Sequence, residues 1–236
     1  MTGTIINVVT VIIGGMLGLL FGGKLPGRVR EAVLSILGLF TMGLGLSMFL
    51  ETNNALIVLG ALLAGTLLGE WWQLEARLEG FGEKLKARFS KVAGRQDLSR
   101  FVEGFLTASI LFCVGPMAIL GSIQDGLTGD YSLLATKAVM DGFAALAFAS
   151  TMGVGVIFSF IAVFIFQGGI SLLAVQVQNV ITAAMIAEMS AAGGVILIGI
   201  ALSTILNIRK IRTGNALPAL FLAPLFAAIL AGIGAV

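Results

Sequence analysis

Two carboxylates, Asp141 and Glu188, are the only charges in the run from Ala138 to Ile208, which is bounded by Lys137 and Arg209. A carboxylate in apolar surroundings can hold a cation, carry a proton, or sit against the positive end of a helix dipole. The same run carries the amides Gln167, Gln176, Gln178 and Asn179 and the hydroxyl of Thr182. Gln178, Thr182 and Glu188 share one helical face roughly, and Gln176 and Asn179 form a neighbouring pair three residues apart. Such amides serve a polar path or bond neighbouring helices to one another. Just upstream, Ser122, Gln124 and Asp125 lie in Gly121-Ser122-Ile123-Gln124-Asp125-Gly126. They either line the mouth of a cation path or close a helix C-terminus with a glycine stop. Asp141-Gly142 is expected to open a span, where an N-terminal cap is the plain alternative to cation coordination.

The elements that would position these groups contain two weak points. Pro116 removes a backbone donor and disfavours helix at Gly115, so the helix holding them should kink or break. Thr151-Met152-Gly153-Val154-Gly155 is the second candidate break. Unwound backbone in a membrane is tolerated only inside protein or beside water. Opposed breaks at Gly115-Pro116 and at Thr151, Gly153 and Gly155 would turn helix ends onto a common site; packing kinks are the alternative.

Composition sets the surroundings. Hydrophobic residues make up 58% and charged residues 11%, against about a quarter charged in a soluble domain, and the mean hydropathy is +1.07. The fold expected is an all-α polytopic bundle of seven or eight transmembrane helices. With no histidine and a single cysteine, Cys113, neither a zinc, haem or iron–sulfur cofactor nor an intrachain disulfide is expected. No basic residue precedes Lys24, so the first apolar segment reads as a retained span rather than a signal peptide.

Hydropathy and breakers place spans near 5–22, 32–50, 55–73, 101–121, 139–166, 170–189, 193–207 and 215–234. The fifth is long enough to be tilted or broken, and a re-entrant segment within 139–189 would leave seven. With eight crossings every basic residue but Lys137 falls on one side, which the positive-inside rule makes cytoplasmic. The loops 23–31, 73–100 and 208–214 are then cytoplasmic and both termini outside. Over 74–100, apolar residues from Leu74 to Val92 recur every three or four positions between charges. That pattern is an amphipathic helix on the inner leaflet, so no nucleic-acid partner is expected.

Thr41-Met42-Gly43-Leu44-Gly45 recurs as Thr151-Met152-Gly153-Val154-Gly155, and Glu31-Ala32-Val33-Leu34-Ser35 aligns with Lys137-Ala138-Val139-Met140-Asp141. The single membrane domain 1–236 then divides into a first repeat, 1–73, and a second, inverted one, 101–189, with a C-terminal hairpin over 190–236. Inverted repeats are common in transporters, though Gly- and Leu-rich helices also match by chance. Small residues at Gly14-Gly18, Gly38-Met42-Gly45 and Gly65-Gly69 suit close helix contacts within a chain or in a homodimer, and a homodimer is expected.

The run Phe112-Cys113-Val114-Gly115-Pro116-Met117-Ala118-Ile119-Leu120-Gly121-Ser122-Ile123-Gln124-Asp125-Gly126 resembles the signature of the bacterial YqgA/YdfK-like membrane proteins. So do Asp141-Gly142-Phe143, Gln167-Gly168, Glu188 with Gly193-Gly194, and Asn215-Ala216-Leu217-Pro218-Ala219. The resemblance implies a bacterial inner-membrane protein and carries no substrate or catalytic residue with it.

No Gly-x-Ser-x-Gly, His-Glu-x-x-His or phosphate loop occurs, so an enzyme is not expected. Acids outnumber bases between Phe101 and Ile208, which favours cations over anions in any path there. The expected function is a transporter or channel for a small solute, a cation by preference, with its path between spans four and five. A membrane scaffold or assembly partner is the alternative, and an intramembrane enzyme the third.

Overall fold

The computed structural model describes residues 1–22, 26–78, 80, 98–206, 208 and 211–232. Among them the regular structure is helical throughout. The helices are α1 (Thr2–Gly22), α2 (Gly27–Phe49), α3 (Ala55–Trp72), α4 (Leu98–Cys113), α5 (Pro116–Thr128), α6 (Ser132–Met152) and α7 (Gly155–Leu172). They continue with α8 (Ala174–Val180), α9 (Ala183–Ile200), which runs on into a π turn over Ala201–Ile205, and α10 (Ala219–Gly232). Seven of the described helices are long and apolar enough to cross a membrane, and an eighth crossing follows if α4 and α5 form one bent span. Most of the predicted amphipathic loop, 79 and 81–97, lies outside the described residues; 74–78 is helical.

The chain forms two compact units, residues 1–37 with 79–180, and 38–78 with 181–236. In the first, α1 lies along α6 on a ladder of glycines. A Cβ at Gly14, Gly18 or Gly22 would land on the carbonyl of Gly142, Leu146 or Ser150 respectively. Both series climb by four, so the two helices run parallel, backbone against backbone as small residues permit in lipid. Gly14→Leu should therefore pry them apart at a cost of about 2–3 kcal/mol, the upper end of overpacking penalties. Denaturant titration in detergent would measure it, and wild-type stability would refute the ladder.

The neighbour α7 runs the other way. Gly15 of α1 faces Ile157, whereas Met1 faces Gly168. Between α6 and α7 the chain reverses at Gly153, whose φ of 88° and ψ of −156° are essentially open to glycine alone. This corrects the expected fifth span, 139–166. The weak point at Thr151–Gly155 is a corner between two full spans, not a break within one. The next two spans shift with it, to Gly155–Leu172 and Ala183–Ser203. The copy at Thr41–Gly45 lies inside unbroken α2, so the two halves of the sequence match differ in conformation.

The expected break at Gly115-Pro116 is present, and the two arms, α4 and α5, meet at 60°. A Cβ on Gly155 would strike the Phe101 carbonyl, and one on Gly126 the Ser171 carbonyl. The bent pair thus starts beside the start of α7 and ends beside its end, covering its whole length.

In the second unit α3, α9 and α10 enclose a core of Val58, Ala61, Ala191, Ala192, Ala219 and Ala223. Gly45 and Gly194 approach each other's carbonyls, while Gly65 and Gly69 meet Ala219 and Asn215. These small residues are engaged within the chain.

Candidate functional site

Lys137 and Asp141 stand one helical turn apart on α6, and both are 7% exposed. The Lys137 ammonium donates to Asp141 Oδ2. The same oxygen accepts from Asn7 Nδ2 of α1 at 2.9 Å. Asn7 Nδ2 also donates to Gln167 Oε1 of α7 at 3.3 Å. Groups from α1 and α6 therefore meet on one carboxylate, and Asn7 links it to α7. On the remaining side the Lys137 ammonium lies 5.9 Å from the centroid of the Phe112 ring, a cation–π distance. Phe112 belongs to the last turn of α4, immediately before the break, and Pro116 has no N–H to offer its carbonyl. The pair of charges is thus neutral as a unit, buried, and set beside interrupted backbone.

Asp141 lies in the third turn of α6, which begins at Ser132. It is therefore not the N-terminal cap that the sequence allowed. Of the residues singled out beforehand, the structure links Asp141 and Gln167 through Asn7 and brings Phe112, just before the Gly115-Pro116 break, towards Lys137. Lys137 and Asn7 were missed. Lys137 left one signal, because it was the only basic residue on the wrong side and it stands four residues before an acid.

Asp125 and Ser122 occupy the next level, on α5. Asp125 Oδ2 accepts the backbone N–H of Gly3 at 3.1 Å and lies 3.1 Å from the α-amino group. This carboxylate sits at the N-terminus of α1, where negative charge is favourable. Ser122 gives its hydroxyl to Ala118, and its carbonyl accepts from Ser171 Oγ of α7 at 3.0 Å.

Gln124 points elsewhere, donating to Asp130 at 2.7 Å. Asp130 lies in the loop before α6, and there the Ser132 backbone N–H, aided by Gln124, holds its carboxyl below the usual carboxylate range. Thr151 returns its hydroxyl to the Phe148 carbonyl at 3.1 Å, and Gly153 and Gly155 form the corner. Gln178 and Asn179 are exposed on the short helix α8, so they are not gathered into the interior.

Glu188 belongs to the second unit and to a different arrangement. Its Oε2 accepts the Thr52 hydroxyl at 2.5 Å, and its Oε1 accepts the Asn53 and Asn54 backbone N–H groups at 2.8 and 3.1 Å. Asn54 caps α3, so the buried carboxylate of Glu188 anchors the turn that starts that helix. At the opposite end of α3, Arg212 pairs with Glu70 at 3.2 Å, and Asn215 accepts the Glu75 backbone N–H at 2.8 Å. Among the described residues no group of three or more His, Cys, Asp or Glu is placed to hold a metal ion.

A helical bundle with several membrane-crossing helices and a buried acid–base pair in its interior defines a polytopic membrane protein. The chain belongs to DUF554, a family of proteins of unknown function, whose model matches residues 2–228. It is 32% identical over 238 residues to the Bacillus subtilis (strain 168) uncharacterized membrane protein YdfK, covering 99% of each chain. To the Escherichia coli (strain K12) uncharacterized protein YqgA it is 34% identical over 227 residues, covering 96% of each. No solved structure matches the chain.

Proposed function

We propose that this protein carries a small cation across the bacterial inner membrane, along a path in the first unit bounded by α1, α5, α6 and α7. The observation that carries the reading is the Lys137–Asp141 pair, bonded to Asn7 and set against the broken α4–α5 span. Ionisable groups at such depth are costly and mark ion or proton pathways by default. An arriving cation would compete with the Lys137 ammonium for Asp141. The carboxylate would exchange one positive partner for another and never stand bare in apolar surroundings. Gln167 and Asn7 can follow that exchange without carrying charge themselves.

The bent pair accompanies α7 along its whole length, which supports a crossing span over a re-entrant loop. Eight crossings follow, with both termini outside and the basic loops cytoplasmic, as the positive-inside rule requires. Cysteine-labelling from either face would test this, and residues 73–100 and 208–214 on opposite faces would refute it.

The functional test is tracer flux into proteoliposomes holding purified protein, over monovalent and divalent cations. Asp141→Asn keeps the shape and removes the charge, and it should lower flux about tenfold or more, a barrier rise above about 1.4 kcal/mol. Wild-type flux in that variant would sink the proposal. Absent flux in the wild type, with a second membrane protein co-purifying, would favour a scaffold instead.

A further inference from the structure

Beside the Lys137–Asp141 pair the first unit holds a second polar region, joined to the pair through Asn7. Three bonds tie its walls together. Asp125 of α5 takes the Gly3 N–H of α1, Asn7 of α1 reaches Gln167 of α7, and Ser171 of α7 reaches back to Ser122 of α5. On each helix the polar residues lie one turn apart and share a face, Thr4 with Asn7, Ser122 with Asp125, and Gln167 with Ser171.

Within this ring, four side-chain atoms have no hydrogen-bond partner among the described residues: Thr4 Oγ1, Asn7 Oδ1, Asp125 Oδ1 and Gln167 Nε2. Thr4, Asn7 and Gln167 are 0% exposed and Asp125 is 3% exposed. Leaving a buried donor or acceptor unmade costs about 1–3 kcal/mol each. The three unmade oxygens, two on α1 and one on the α5 carboxylate bonded to it, therefore point to a ligand, whereas Gln167 Nε2 is a donor that a cation does not engage.

The donor set selects its class. Three of the four atoms are oxygens, one of them carboxylate, one amide and one hydroxyl. Hard oxygen donors suit hard cations, and softer metals would want sulfur or imidazole. With a single carboxylate, whose other oxygen already faces the α-amino group, the charge suits a monovalent ion better than a divalent one. We infer that Thr4, Asn7 and Asp125 form a binding site for a dehydrated monovalent alkali cation of sodium type, with Gln167 orienting Asn7. This rests on the proposed transport reading, for which it supplies the substrate class and a station neighbouring the Lys137–Asp141 pair.

Thr4→Val tests it cleanly, because valine copies threonine's shape and no protein bond is lost with the hydroxyl. The purified protein would be unfolded thermally in nanodiscs in sodium, lithium, potassium or choline chloride at equal ionic strength. Sodium should raise the wild-type midpoint above that in choline, as any ligand bound only by the folded state must. Thr4→Val should unfold like wild type in choline yet lose the sodium effect, and Thr4→Ser should keep it. Loss of one ligand should weaken sodium binding about 10- to 100-fold, at least as much as loss of an outer-shell partner.

Absence of a sodium-specific shift in the wild type would overturn the site, and so would a shift that survives Thr4→Val. The outcomes separate from those of the transport reading. Cation flux that depends on Asp141 without any sodium-specific stabilisation removes this site and leaves the proposed function standing. A sodium effect lost in Thr4→Val, with flux indifferent to Asp141→Asn, keeps the site and removes the function.

Discussion

Lys137→Met should destabilise the protein by about 3–5 kcal/mol, the cost of leaving one member of a buried ion pair without its partner. Asp141 would keep its bond from Asn7 at 2.9 Å, but one neutral amide does not balance a full charge in apolar surroundings. The double variant Lys137→Met with Asp141→Asn removes both charges and should recover most of the loss, since uncharged replacements of buried pairs are often neutral. Denaturant titration of the wild type, the two single variants and the double would give the coupling between the sites. Additive losses would mean that the two charges do not depend on each other, and the account of the site would fail. The double variant, folded but uncharged, should also carry no cation flux. Stability and transport would then separate in one protein, as the proposed reading of the pair requires.

The sequence made the membrane character, the number of spans and the break at Gly115-Pro116 legible, because each is a local property. Apolar length sets a span, and a proline inside one interrupts it wherever it falls. The boundaries after residue 139 were less legible. Hydropathy is continuous across Gly153, and only the backbone angles there show that the chain turns back. The site was half legible for a related reason. Asp141 stands out by charge alone, whereas its partner Asn7 lies 134 residues away in a helix with nothing unusual about it. A polar residue near the start of an apolar helix looks like an end effect until the opposing helix is known. Glu188 shows the converse, since its charge drew attention and its surroundings turn out to be backbone N–H groups.

Those surroundings make Glu188→Ala the second large effect. The substitution would strip the acceptor from the Thr52 hydroxyl and from the Asn53 and Asn54 backbone N–H groups. Hydrogen bonds to a charged group contribute about 1.5–3 kcal/mol each, but the turn before α3 can relax toward water, so a total near 3–4 kcal/mol is expected. Thr52 Oγ1 also accepts the Asn54 N–H at 3.1 Å, so the turn keeps one internal bond. Glu188→Gln retains an acceptor for the two backbone groups, and the Thr52 hydroxyl can turn to accept from the new amide, so it should lose far less. The loss should be local as well as global, with faster amide hydrogen exchange in the first turn of α3 than in α1 or α6. Alanine as stable as wild type would show that the three bonds do not anchor the turn. Flux separates the remaining alternatives: normalised to folded protein, Glu188→Gln should transport near the wild-type rate, because three protein donors already hold its carboxylate. A collapse of flux in a well-folded Glu188→Gln protein would place this carboxylate on the route of the ion after all, beside Asp141 in role although not in surroundings.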